Sequence, residues 1–225
     1  MKKWIVVWLT VVAASVNATN MKWERYMQQT LIHHKEIPGW CSHEKAQKMM
    51  ELIYQTHPKV CVEIGVFGGS SIYPTVCALR FLKGGIVYAI DPWSNEECLV
   101  GYEPNDPHYH WWKRVNLEKV YQNFTTTLIY CDFTKFCTVL RMNSQEALFQ
   151  FADESIDILH IDGNHSDQVA LMDVQLYLPK VKKGGYIWFD DPHWDSSTKP
   201  IEFLMANCSQ NTELSTATCF LFRKL

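Results

Sequence analysis

Four residues in the C-terminal half have the types and spacing to move a proton beside a bound cation. Asp162 and His165 stand three apart in SIDILHIDGNH (155–165), and Asp190 and Asp191 end the apolar run in GGYIWFDDPH (184–193). Each stretch reads as a strand that finishes in acid. In a doubly wound sheet both finish on the same edge, so the three acids converge despite their separation in sequence. Three carboxylates brought together cannot all stay ionised without a cation among them. A hard divalent ion with oxygen ligands is the simple remedy, and Mg2+ suits a site left partly open to water and substrate. Asp162, Asp190 and Asp191 are therefore candidate metal ligands, whereas any one of them alone would read as a helix cap or turn residue. His165 titrates near neutrality, which suits an imidazole for removing a hydroxyl proton. It is the candidate general base.

A second constellation lies upstream. VCVEIGVFGGSSI (60–72) reads as strand, tight turn and helix, with Glu63, Gly65, Gly68, Gly69 and Ser70 around the turn. Glycines there let a ligand approach the backbone, and the helix start presents unpaired N–H groups. The same cluster also serves as a turn with nothing bound. The next strand, IVYAID (86–91), ends in Asp91, where nucleotide-binding βαβ units hold ribose hydroxyls. Glu63 occupies the place of the first glycine of the dinucleotide fingerprint, which disfavours a nicotinamide-dependent oxidoreductase.

The pattern E-x-G-x-x-G-G with a later strand-end acid resembles class I S-adenosylmethionine-dependent methyltransferases. D-G-N-H followed by D-D resembles the macrocin and mycinamicin sugar O-methyltransferases of the methyltransferase-24 group. This resemblance implies a Rossmann-like, doubly wound α/β fold, with a mostly parallel seven-stranded sheet and an antiparallel C-terminal strand. It implies S-adenosylmethionine as cofactor, with Gly65, Gly68, Gly69 and Ser70 lining the methionine moiety. Glu63 would support that loop or the ligand's ammonium, and Asp91 would take the ribose. Ser144 and Gln145 in NSQEAL (143–148) match a Ser-Gln pair that faces adenine in catechol-type enzymes, while Asn143 or Ser144 would also serve as an ordinary cap. By the same resemblance Asp162, Asp190 and Asp191 bind magnesium, His165 is the base, and the acceptor is a hydroxyl of a phenol, catechol or sugar. Relatives carry an acid where Asn164 stands, which leaves it a ligand, a substrate contact or neither.

The elements that must position these groups follow from the rest of the chain. A chain of 225 residues, 47% hydrophobic, supports one sizeable α/β core. A net charge of −3 without a long basic run gives no footprint for nucleic acid, and homo-oligomerisation is left open. Residues 1–18 read as a signal peptide: Lys2 and Lys3 lead an apolar run from Trp4 to Ala14, and cleavage is expected after Ala18. Export would follow, with no stable membrane span afterwards; the alternative is an anchor formed by residues 4–14. An exported enzyme would have to find S-adenosylmethionine outside its usual compartment, so an exported, non-catalytic binding protein on the same fold is a second reading.

Residues 19–58 read as an N-terminal helical cap, with His33 and His34 solvated and Ser42 an N-cap, and residues 59–225 as the methyltransferase domain. PWSNEECLVGYEPNDPHYH (92–110) is too long for an ordinary loop and reads as a substrate lid, with Trp93, Tyr102, His108, Tyr109 and Trp111 as candidate walls. A helix is expected over 111–124, and 125–136 is ambiguous between helix and strand. Strands are expected over 139–142 and 216–223, the last in a closing hairpin. The eight cysteines are expected mostly as free thiols, with one or two bridges allowed among Cys41, Cys98, Cys131, Cys137 and Cys208. Asn123, Asn164 and Asn207 lie in glycan-acceptor triplets.

Overall fold

The structure, a computed structural model, describes residues 20–106 and 108–225; the expected leader and anchor segments lie outside them. Among the described residues no helix is long and apolar enough to cross a membrane. Helix α1 covers residues 20–34 and α2 His43–Thr56; then β1 (Val60–Ile64), α3 (Ile72–Leu82) and β2 (Ile86–Ile90) make the first crossover unit. Three helices follow, α4 (Asn95–Cys98), α5 (Tyr109–Arg114) and α6 (Leu117–Tyr130), before β3 (Cys137–Leu140). The remainder is α7 (Ser144–Ala147), β4 (Ile156–Ile161), α8 (Asp167–Tyr177), β5 (Val181–Asp190), α9 (Thr198–Asn207), β6 (Cys208–Asn211) and β7 (Cys219–Lys224).

The sheet order is β3-β2-β1-β4-β5-β7-β6. Strands β1 to β5 pair in parallel, and β7 runs antiparallel to both β5 and β6. Alternation along the strands builds two layers of core. Cys61, Val87, Ile158, Trp188 and Leu221 face α1, α2, α3 and α6, whereas Val62, Leu159, Ile187 and Phe222 face α7, α8 and α9. The register also fixes where polar groups fall. Glu63 pairs with His160, His160 with Trp188, and Asp190 with Cys219, so Glu63, His160 and Asp190 share the face covered by α2.

Several expected boundaries move. Residues 111–124 do not form one helix, because the chain breaks at Val115–Asn116, where the Asn116 side chain accepts from Lys119 N and starts α6 afresh. The ambiguous β-branched stretch is helical to Tyr130; Thr125, Thr126 and Thr127 each donate their hydroxyls to a carbonyl four residues back. β3 lies two residues earlier than expected, with Cys137 paired to Val87. β6, with the polar sequence CSQN, carries no apolar alternation and exists because β7 offers it an edge. His33 is exposed as expected, but His34 is buried and its Nε2 donates to the Ser70 carbonyl at 2.8 Å. All eight cysteines are free thiols, so none of the allowed bridges forms.

Candidate active site

The parallel strands discharge their carboxyl ends into a cavity of about 540 Å³. It opens at the switch between β1 and β4, where the strand order changes direction and α/β sheets bind ligands. Gly65, Ser70, Asp91, Ser144, Asp162, His165, Asp190 and Asp191 line it; Glu63, Gly68, Gly69 and Gln145 do not. Backbone hydrogen bonds carry the sheet one residue past its strands: Gly65 N donates to Ile90 O, Asp91 N to Leu140 O, and Asp162 N to Ile64 O. These bonds hold the three turns in fixed relation.

Gly65 adopts φ +83°, and a Cβ there would lie 2.0 Å from the Asp162 carbonyl oxygen, so only glycine lets the β1 and β4 turns touch. At Gly68 and Gly69 a Cβ would strike Pro38 O and the Phe124 ring; these positions seat the α1–α2 loop and α6 over the turn. Ser70 Oγ accepts from Cys41 N at 3.2 Å. Glu63 is buried behind the cavity, accepts from Ser71 Oγ at 2.6 Å and faces His160 Nδ1 at 3.1 Å. It braces the loop. Asp91 accepts three backbone N–H bonds: from Val66 and Phe67 at Oδ2, and from Trp93 at Oδ1. A carboxylate has about four acceptor positions, so it keeps capacity for one more donor. Burial raises the pKa of Asp91, and the three N–H groups oppose that rise.

The acids are not left to themselves. Lys45, from the first turn of α2, is 1% exposed, and its Nζ lies 2.6 Å from Asp190 Oδ1 and 3.6 Å from Asp162 Oδ2. Burial alone would lower its pKa, but Cys219, Asp162 and Asp190 outweigh that and hold the ammonium well above the ordinary lysine range. Asp191 is separated from this pair. Its Oδ2 faces His165 Nε2 at 3.6 Å, and Asp162 Oδ1 faces the same nitrogen at 3.5 Å. Burial would depress His165, yet Asp162 first, then Asp191 and Asp190, raise it above the usual histidine value. Burial would likewise raise Asp162, but Lys45 and His165 hold it well below the carboxylate range. Asp190 is pushed up to about 6 by burial and by the Asp162 charge, with Lys45 opposing.

A divalent ion shared by Asp162, Asp190 and Asp191 does not fit this arrangement. An ammonium lies between the first two acids and an imidazole between the first and third. His160, Asp190 and Cys219 do offer ligand atoms within 4.8 Å of one another, but this cluster is buried against the same ammonium.

Sequence reasoning missed several lining groups. Ser144 Oγ donates to Asp173 Oδ1 at 2.5 Å, and burial pushes Asp173 up to about 6. Asn143 caps α7 and lines the cavity, while Gln145 is exposed, so only the first of the expected Ser-Gln pair reaches it. Trp194 stacks on His108 and packs against His165, with ring centroids 4.9 Å apart in both pairs. Of the expected walls, Tyr102, His108 and Trp111 line the cavity; Trp93 is buried and donates its indole N–H to Phe67 O, and Tyr109 stands outside. Asn164 lines the cavity, and its side-chain amide is engaged within the chain. Its amide donates to the carbonyls of Glu97, Cys98 and Val100 and accepts from Ser166 N, tying the 92–110 segment to the His165 loop.

The profile of a family described as a methyltransferase domain matches residues 62–192, well over half the chain. The chain belongs to the methyltransferase-24 family. A protein of Acanthamoeba polyphaga mimivirus is 46% identical over 133 residues, and one of Sinorhizobium fredii is 25% identical over 146. These matches take in 58% and 63% of the chain but 50% and 14% of the relatives, so it spans at most half the length of either. Among solved structures, an SAH-bound methyltransferase of Podospora anserina superposes with a TM-score of 0.61 at 13% identity, covering 94% of this chain and 96% of that one. An O-methyltransferase of Streptomyces achromogenes, in complex with SAM and involved in tomaymycin synthesis, gives 0.55 at 13% identity, with 89% of each chain covered. At these identities the likeness is one of fold, and it agrees with the seven-stranded sheet expected from the sequence.

Proposed function

We propose that this methyltransferase-24 member transfers a methyl group from S-adenosylmethionine to a hydroxyl of a small molecule, with His165 as the base. The observation that carries this reading is the placement of His165 Nε2 between two carboxylates at a cavity formed by the Gly65 and Asp91 turns. When bound, S-adenosylmethionine supplies an electrophilic methyl group on a sulfonium, as the ligands named for the solved relatives suggest. Gly65 and Ser70 border its binding turn, Asp91 has one acceptor position for a ribose hydroxyl, and Ser144 with Asp173 offers a polar wall. Neutral His165 takes the acceptor's hydroxyl proton at Nε2, and Asp162 and Asp191 stabilise the imidazolium that results. Lys45 fixes Asp162 in turn. No step in this reading passes through a divalent ion. Phenols, catechols and sugar hydroxyls are all chemically suited acceptors.

Calorimetric titration with S-adenosylhomocysteine tests the cofactor: binding is expected, and Asp91→Ala should weaken it. In an acceptor screen, His165→Ala should lose about 10²–10⁴-fold in methyl transfer while still binding S-adenosylhomocysteine. Full transfer by both His165→Ala and Asp162→Ala would sink the proposal, and no binding by folded protein would favour the exported binding-protein reading. Residues 1–18 are proposed, on their sequence, as a cleaved leader. A secreted chain beginning at Thr19 would support that, and retention of Met1 would oppose it.

A further inference from the structure

The three acids that end β4 and β5 posed a charge problem in the sequence, and the fold answers it from an unexpected direction. The register of the sheet sets Asp190 on the face that α2 covers. Ser42 caps α2 by accepting from Lys45 N at 3.1 Å, so the lysine backbone is pinned at the helix start and its side chain runs beneath the cavity to the acids. The whole residue is 1% exposed. Its Nζ is within a charge-assisted hydrogen bond of Asp190 Oδ1, at 2.6 Å, and 3.6 Å from Asp162 Oδ2. A magnesium or manganese ion bridging those two carboxylates would need oxygens at about 2.0–2.2 Å, which is the space the ammonium holds. It would also face an unscreened positive charge.

We propose that the Lys45 ammonium is the resident cation of this site: it takes the place a divalent metal would occupy between Asp162 and Asp190 and keeps such an ion out. The proposal rests on the site being the transfer centre described above, and it makes Lys45 a positioning residue. By fixing Asp162, Lys45 keeps that carboxylate against His165, and it does so without an exchangeable ion. The centre is then indifferent to chelators, and its geometry is set by the docking of α2.

The test is Mn2+ binding to the full chain followed by electron paramagnetic resonance, which needs neither cofactor nor acceptor. Wild type should bind no stoichiometric Mn2+ up to about 1 mM, whereas Lys45→Met should gain one site at least about 100-fold tighter, lost again in Lys45→Met/Asp162→Asn. One Mn2+ bound by wild type and removed by Asp162→Asn or Asp190→Asn would overturn the proposal. So would a folded Lys45→Met chain that binds none. If Lys45→Met does not fold, the comparison of wild type with Asp162→Asn decides alone. Binding of S-adenosylhomocysteine by wild type is scored separately, so a failed cofactor assignment is distinguishable from a failed assignment of Lys45.

Discussion

Replacing Asp191 with Asn probes the electrostatics of the proposed base without disturbing the fold around it. Asp191 Oδ2 lies 3.6 Å from His165 Nε2, and its side chain is 29% exposed. Two unit charges at that distance interact by about 4–5 kcal/mol at an effective dielectric of about 20, and water at the exposed side cuts this to about 1–2 kcal/mol, roughly one pKa unit. Asn keeps the shape and an acceptor oxygen but removes the charge. The imidazolium loses a partner, so the His165 pKa should fall by about one unit from its raised value. The assay is nuclear magnetic resonance of 13C-labelled histidine, following the His165 Cε1 signal over about pH 5–9, with the signal assigned by its loss in His165→Asn. Asp153→Asn, which breaks the exposed pair with Lys180, should leave it unchanged. Stability must follow with the same sign. A histidine raised above its unfolded value near 6.5 stabilises the fold below that pH and loses the contribution as pH rises through the folded pKa. The deficit of Asp191→Asn should therefore be largest in mild acid and shrink in base. An unchanged or raised His165 midpoint in Asp191→Asn would refute the reasoning.

Three further outcomes are expected. Gly65→Ala must place a methyl group 2.0 Å from the Asp162 carbonyl at a left-handed φ, so it should cost about 3 kcal/mol or more in denaturant unfolding, and a loss under about 1 kcal/mol would show that the turns need not touch. Asn164→Ala removes the amide bonded to Glu97, Cys98 and Val100; hydrogen exchange over residues 97–102 should quicken about tenfold, and unchanged protection would mean another contact holds the segment. Asp173→Asn should stabilise the chain at pH 7 by about 1–3 kcal/mol, because burial lifts this acid from 3.8 to about 6 and ionising it there is costly. That gain should fade as pH falls through 6 toward 3.8, and destabilisation at pH 7 would contradict the account.

What was legible in the sequence was local. The turn after β1, Asp91 at the end of β2, and the acids ending β4 and β5 are each announced by an apolar run and its last residue, and the structure gathers Gly65, Asp91, Asp162, Asp190, Asp191 and His165 at one cavity. Lys45 was hidden because its role depends on how α2 docks, which no local pattern states. Its position did carry a signal: Lys45, Met49 and Leu52 fall on one helical stripe, and all three are buried. A lysine on such a stripe reads as a snorkelling side chain until the facing strand is known to end in acid. Asn164 escaped for a similar reason, since the carbonyls it holds lie more than sixty residues away in sequence. Gln145 was misplaced by treating a pair as a unit, whereas the start of α7 turns Ser144 inward and Gln145 outward.

The eight unpaired thiols bear on where such a molecule can be made. Burial pushes Cys41 up to about 12, Cys98 to about 12 and Cys208 to about 11, which leaves little thiolate to react at neutral pH. Among the described residues no disulfide ties helix to sheet, so the stability of the fold draws on packing, hydrogen bonds and ion pairs such as Lys45–Asp190. The same core can therefore assemble in a reducing cytosol, where methyl donor is made, or along an oxidising export route, without an oxidoreductase to complete it. Redox environment places no veto on either itinerary.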